Sequence, residues 1–265
     1  MTTLAWIALC TGLGGLLSVA AAGAFLLLPS PARARVIPHM VSFATGALLG
    51  AALLALVPHA MQGAGPARVH QVGIALVAGI GLFFVLEKLV LWRHCHVDEC
   101  EEHGADVHLP SADENRAKAS GSLVLVGDGL HNALDGVLIA AAFLTDTHLG
   151  IVTAVAIVAH EIPQEMGIFA VLLHSGMSRS RALVLNLLTS LSSVIGGIGA
   201  YFALERALDL LPFAIAVAAA SLLYVAVADL IPGLHKRFDA RASVTQVLLM
   251  TIGIAVIAFA ERHAH

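Results

Sequence analysis

Two stretches of this chain set metal-ligating side chains into an apolar background: GDGLHNALDG at residues 127–136 and VAHEIPQEMG at residues 158–167. On a helix that turns about 100° per residue, His131 and Asp135 fall about 40° apart, Asp128 joins the same face, and Asn132 lies on the next strip. In the second stretch His160 and Gln164 share a face, with Glu161 and Glu165 beside them. The two stretches repeat one layout: His at i, a second polar group at i+1, an oxygen donor at i+4. Asp135 and Gln164 each fall between the other two groups of their stretch, where each can face two neighbouring sites. Imidazole, carboxylate and amide oxygen together make a donor set for a divalent transition metal, with zinc the first expectation.

The elements that must position these groups are set by composition. The chain has 265 residues, of which 58% are hydrophobic and 12% charged, and a mean hydropathy of +0.89. Soluble domains carry about 25% charged residues. So few charges cannot cover so much apolar surface in water, and the expected fold is an all-α integral membrane protein. Eight segments are long and apolar enough to span: 4–28, 38–61, 69–92, 118–143, 148–174, 181–205, 211–234 and 242–261. They form a single domain over residues 1–265, with both stretches inside spans four and five. Residues 1–28 form a full-length apolar segment without a basic start, unlike a signal peptide. A net charge of −4 argues against a nucleic-acid partner.

A carboxylate at the centre of a membrane helix costs about 2.5 kcal/mol or more, so Asp128, Asp135, Glu161 and Glu165 unpaired would cost on the order of 10 kcal/mol. No Lys or Arg lies within either stretch to offset this. Helix-to-helix hydrogen bonding explains single polar residues in a span, but two matched clusters favour a bound cation. Pro163 removes one backbone hydrogen bond and frees the carbonyl of Ala159. Beside a polar cluster, this predicts an unwound turn next to a cavity.

Residues 93–117, RHCHVDECEEHGADVHLPSADENRA, are polar, acidic and His-rich, and read as a flexible loop. His94, Cys95, His96, Cys100, His103 and His108 offer donors there, against the plainer reading of a solvated linker. His39, His59 and His70, near span ends, read as interfacial residues. The three cysteines form no disulfide framework. With eight spans, one side of the membrane holds Arg33, Arg35, Arg93, Arg116, Lys118, Arg179, Arg181, Lys236, Arg237 and Arg241; the other holds Arg68, Arg206 and Arg262. Ten against three places both termini outside and the His-rich loop in the cytoplasm, in a cell inner or plasma membrane.

GDGLHNALDG and HEIPQEMG resemble the paired signature of the ZIP (zinc- and iron-regulated transporter-like) family, nearest the branch with HNxxDG and HExPHE. The resemblance extends to LLALVPHA, GLFFVLEKLVLW, NLLTSLSSVIGG and LYVAVADLIPG in spans two, three, six and seven. It implies eight helices and a two-site metal centre between helices four and five. One site would use His131, Asp135, His160 and Gln164; its neighbour would use Asn132, Asp135, Glu161 and Gln164, with Glu165 close by. The chain departs from that branch at Gln164 (His there), Ile168 (Asp), Ala51 and Ala55 (often Asp and His), and Ser193, where some members carry a carboxylate. The implied activity is transport of a divalent metal toward the cytoplasm. Zn2+ is the first cargo, with Fe2+, Mn2+ and Cd2+ the alternatives, and no cofactor or enzymatic step is implied. Two competing functions are an intramembrane metalloprotease, since HEIPQ is one residue from HExxH and Asp229 could be claimed as a further ligand, and a non-transporting metal sensor. The GGIG at 196–199 permits close helix packing, within the chain or in a homodimer.

Overall fold

The computed structural model describes residues 1–25, 27–98, 110–235 and 240–262. Among them the architecture is all-α, with eight helices long and apolar enough to cross a membrane. We number these α1 (Thr3–Phe25), α2 (Ser30–Gly50, Ala51–Leu56 and Val57–Ala64 in continuous succession), α3 (Val69–Asp98), α4 (Pro110–Thr145), α5 (Thr147–His174), α6 (Arg179–Leu204), α7 (Leu211–Tyr224, Val225–Leu230 and Ile231–Leu234) and α8 (Ala240–Arg262). The backbone is helical at both ends of the 93–117 segment, to Asp98 and from Pro110. The rest of that expected loop, 99–109, lies outside the described residues.

The helices associate in two groups. α1, α4, α5 and α6 pack on one another; α2 packs on α8 and α3 on α7, and the groups meet mainly where α2 crosses α5 and α7 meets α4. α2 and α7 are central, with 61% of their apolar windows buried, whereas 11% of α8 is buried. α8 therefore turns Val244, Val247, Leu248, Ile252 and Phe259 outward, as a lipid-facing helix does.

Backbone approach replaces side-chain interdigitation at two crossings. A Cβ on Gly136 of α4 would lie 1.9 Å from the Ser193 carbonyl oxygen of α6, and one on Gly196 would lie 2.1 Å from that of Ala133. α2 and α8 meet in the same way at Gly46 and Gly253. With little hydrophobic drive between helices in lipid, such small-residue contacts carry the van der Waals packing. Gly196 of the GGIG stretch is thus used against this chain's own α4.

Local chemistry fixes the register of α5. The Asp146 carboxylate accepts from the backbone N–H groups of His148 (2.8 Å) and Leu149 (3.1 Å), an N-cap directly after α4 ends. Gly176, at φ +84°, makes the turn into α6, which Ser178 caps through the N–H of Arg181.

The expected unwinding at Pro163 does not occur: α5 is continuous α-helix from Thr147 to His174 with Pro163 inside it. The departures from α-geometry lie elsewhere, as single π turns at Ala51–Leu56 of α2 and Val225–Leu230 of α7. A proline costs a buried helix one hydrogen bond, and the packing around α5 tolerates that loss without opening the turn.

Candidate metal centre

α4 and α5 pack face to face and bring their polar stripes together in the span interior. His131 Nε2 and His160 Nε2 lie 3.3 Å apart. Asp135 Oδ2 is 3.6 Å from the first and 3.4 Å from the second. Glu161 Oε1 is 3.8 Å from His131 Nε2 and 3.9 Å from His160 Nε2. One ligand atom from each of the four residues falls within 4.8 Å of all the others. Asp135, His160 and Glu161 are buried, and His131 is part-exposed.

The donor orientation suits a cation. His160 Nδ1 faces the Ala156 carbonyl at 3.4 Å; with the proton on that nitrogen, Nε2 keeps its lone pair for the centre of the group. Asp135 Oδ2 and both carboxylate oxygens of Glu161 are buried without a hydrogen-bond partner. Acceptors left this way inside a membrane are costly unless a positive charge reaches them.

A small cavity of about 10 Å³ adjoins the group and is lined in part by Asn132, Asp135, Glu161 and Ser193. Asp135 and Glu161 thus border both the four-residue group and this cavity. Asn132 leans back one turn, donating from Nδ2 to Asp128 Oδ1 at 3.1 Å and to the Asp128 carbonyl at 3.1 Å. The Gln164 amide lies against the Asp128 carboxylate. Glu165, fully buried, turns to α6, where Ser190 Oγ lies 3.2 Å from its Oε1. The seven candidate residues therefore divide: four form one tight group, and Asn132, Gln164 and Glu165 contact the region around Asp128 and α6.

Sequence reasoning passed over Asn186 and Ser190, both buried on α6. The signal was present as polar residues within an apolar run, NLLTSLSS. Asp229, named above only as a further ligand a protease could claim, falls in the π turn of α7. Near it in the chain, Tyr224 donates to Glu87 of α3. His39 and His59 engage the carbonyls of Arg35 (2.6 Å) and Ala55 (2.9 Å), and His59 also faces Glu261 of α8 at 3.7 Å. Of the loop donors, Cys100, His103 and His108 lie outside the described residues, as do the side chains of His94, Cys95 and His96.

The chain is similar to known proteins along most of its length. The chain is 33% identical over 281 residues to the zinc transporter ZIP13 of Pongo abelii, covering 95% of this chain and 77% of that protein. It is 28% identical over 329 residues to the zinc transporter SLC39A7 of Mus musculus, covering 92% of this chain and 68% of that protein. A shorter match, 35% identical over 177 residues, joins 63% of this chain to 21% of the human zinc transporter ZIP10. Residues 3–261 match the family described as ZIP Zinc transporter, and the chain belongs to that family.

Proposed function

We propose that the protein carries a divalent transition metal, zinc first, across the membrane toward the cytoplasm, and that His131, Asp135, His160 and Glu161 hold the ion in transit. The observation that carries this reading is the four-residue group: two imidazole nitrogens and two carboxylates within 4.8 Å of one another, three of their oxygens buried without partners. Two nitrogens and two oxygens make a four-coordinate set that suits zinc, and Fe2+, Mn2+ and Cd2+ are the alternative cargoes. Asn132 bounds the neighbouring site, reached by the ion through Asp135 and Glu161, which border both spaces; Gln164 serves from its place against Asp128. Glu165 turns away from the four-residue group to Ser190 of α6.

Direction and topology rest on the basic-residue bias, ten against three, which puts both termini outside a cell membrane. The members named above are zinc transporters, which supports zinc as cargo. The family is one of transporters and not of enzymes, so HEIPQ is not read as a protease motif. Gln164 also lacks the second imidazole that such chemistry needs.

The test is zinc influx into proteoliposomes loaded with a zinc-sensitive dye, with protein-free liposomes as reference. Saturable influx that depends on the protein is expected. Influx equal to that of protein-free liposomes, with the protein folded and inserted, contradicts the reading.

A further inference from the structure

A second group of buried polar side chains lies between α4, α5 and α6, about one helical turn (~5 Å) from the four-residue group, toward the start of α4 and the end of α5. Asp128 and Glu165 are its carboxylates, at 4% and 0% exposure. Asn186 and Ser190 of α6 complete it, both buried. Ser190 Oγ is 3.2 Å from Glu165 Oε1 and 3.0 Å from the Asn186 carbonyl. The Asn186 amide lies beside Glu165, and the Asp128 carboxylate is near enough for its charge to act on Glu165. Yet Asp128 Oδ2, Glu165 Oε2 and both side-chain atoms of Asn186 are buried without a hydrogen-bond partner.

A fully buried amide with neither atom satisfied is uncommon, and here it stands beside two carboxylates whose outer oxygens are also unsatisfied. A cation would take up the Asn186 Oδ1 and the two outer carboxylate oxygens at once, with the Asn186 Nδ2 left to face Glu165. We infer that Asp128, Glu165, Asn186 and Ser190 form a second cation site, distinct from the His-bearing group. Its donors are all oxygens, so it suits a hard divalent cation of the Mg2+, Ca2+ or Mn2+ kind rather than a borderline ion that seeks nitrogen. Two carboxylates bring two negative charges, and one divalent ion neutralises them inside the membrane. Asn132 is held to Asp128 by its Nδ2 and stands between this site and the first. The inference does not depend on transport, since it concerns occupancy alone.

Mn2+ is the probe, because its electron spin senses coordinated 14N. The full-length protein in detergent is titrated with Mn2+ and examined by pulsed electron paramagnetic resonance. Two populations are expected: one with 14N modulation, from the His-bearing group, and one without. Glu165→Gln should remove the nitrogen-free population and keep the 14N-coupled one. Asn186→Leu, which leaves every carboxylate in place, should weaken the nitrogen-free site by about tenfold or more. If all bound Mn2+ shows 14N modulation, the site does not exist. If nitrogen-free Mn2+ persists in both variants at the parent's occupancy, that ion sits elsewhere and the inference is wrong. A neutral, proton-sharing Asp128–Glu165 pair gives the first of these results. Loss of the 14N-coupled population alone would count against the proposed transport site and leave this inference standing.

Discussion

His131 Nε2 and His160 Nε2 stand 3.3 Å apart across the α4–α5 crossing, with their rings edge to face at 89°. They come from residues 29 apart in sequence, and Asp135 Oδ2 lies within 3.6 Å of each. A crossing that aims two ring nitrogens and a shared carboxylate at one point acts as a chelate before any ion is considered. Its geometry is held by the cap at Asp146 and the glycine contacts between α4 and α6.

Asp135 is the nearer of the two acids that face both histidines, and its Oδ2 has no hydrogen-bond partner to lose. Asp135→Ala should therefore leave the protein folded and monodisperse while cutting zinc influx to below about a tenth of the parent's. Dye-loaded proteoliposomes, with gel filtration alongside, measure both. Influx near the parent's rate would remove Asp135 from the proposed path.

At Gln164 an amide oxygen stands where the nearest family branch carries imidazole. Gln164→His should raise zinc affinity by about tenfold, equivalent to ~1.4 kcal/mol, and shift preference toward zinc over manganese. Maximal influx should not rise, since an ion bound more tightly leaves more slowly. Competition titrations with a zinc chelator check the first effect and initial rates the second. Unchanged affinity and selectivity would mean that Gln164, which lies against Asp128, is no ligand to the transported ion.

The α4–α6 crossing has no room for a methyl group at Gly136, where a Cβ would meet the Ser193 carbonyl at 1.9 Å, whereas Gly199 has nothing within 4 Å. Gly136→Val should destabilise by about 3 kcal/mol or more, because backbone must move. Gly199→Ala should be close to neutral. Thermal unfolding followed by intrinsic fluorescence compares them, and equal midpoints would show that the helices do not meet as described.

Topology can be read chemically at two exposed positions. With Cys10, Cys95 and Cys100 replaced by Ser, Asp209→Cys should react with a membrane-impermeant maleimide added to intact cells, and Ser180→Cys should react only after permeabilisation. The reverse pattern would invert the orientation drawn from the basic residues.

Much of this architecture was legible in the sequence. Eight apolar segments gave eight helices, and the about 40° offset between His131 and Asp135 survives as a shared face because α4 is regular there. A helical wheel, however, gives direction about one axis and not the neighbour that occupies it. Glu161 and Glu165 lie on one strip by periodicity, yet Glu161 meets α4 while Glu165 meets Ser190 of α6. Where α6 sits depends on Gly136 and Gly196, whose contact across α4 and α6 no periodicity shows. The π turns at Ala51–Leu56 and Val225–Leu230 were hidden for a related reason: one extra residue per turn leaves no mark in an unbroken Ala-, Leu- and Val-rich run. Pro163 misled in the opposite sense, since a local rule about proline gave way to packing along α5.

The central claim is that zinc in transit is held by His131, Asp135, His160 and Glu161. Anomalous diffraction from zinc-soaked crystals, recorded on both sides of the zinc absorption edge, tests it most directly. The account predicts a peak between α4 and α5, at about 2.0–2.2 Å from both Nε2 atoms and from an oxygen of each carboxylate. Zinc found only at other positions, with these four side chains well ordered and unliganded, would contradict it.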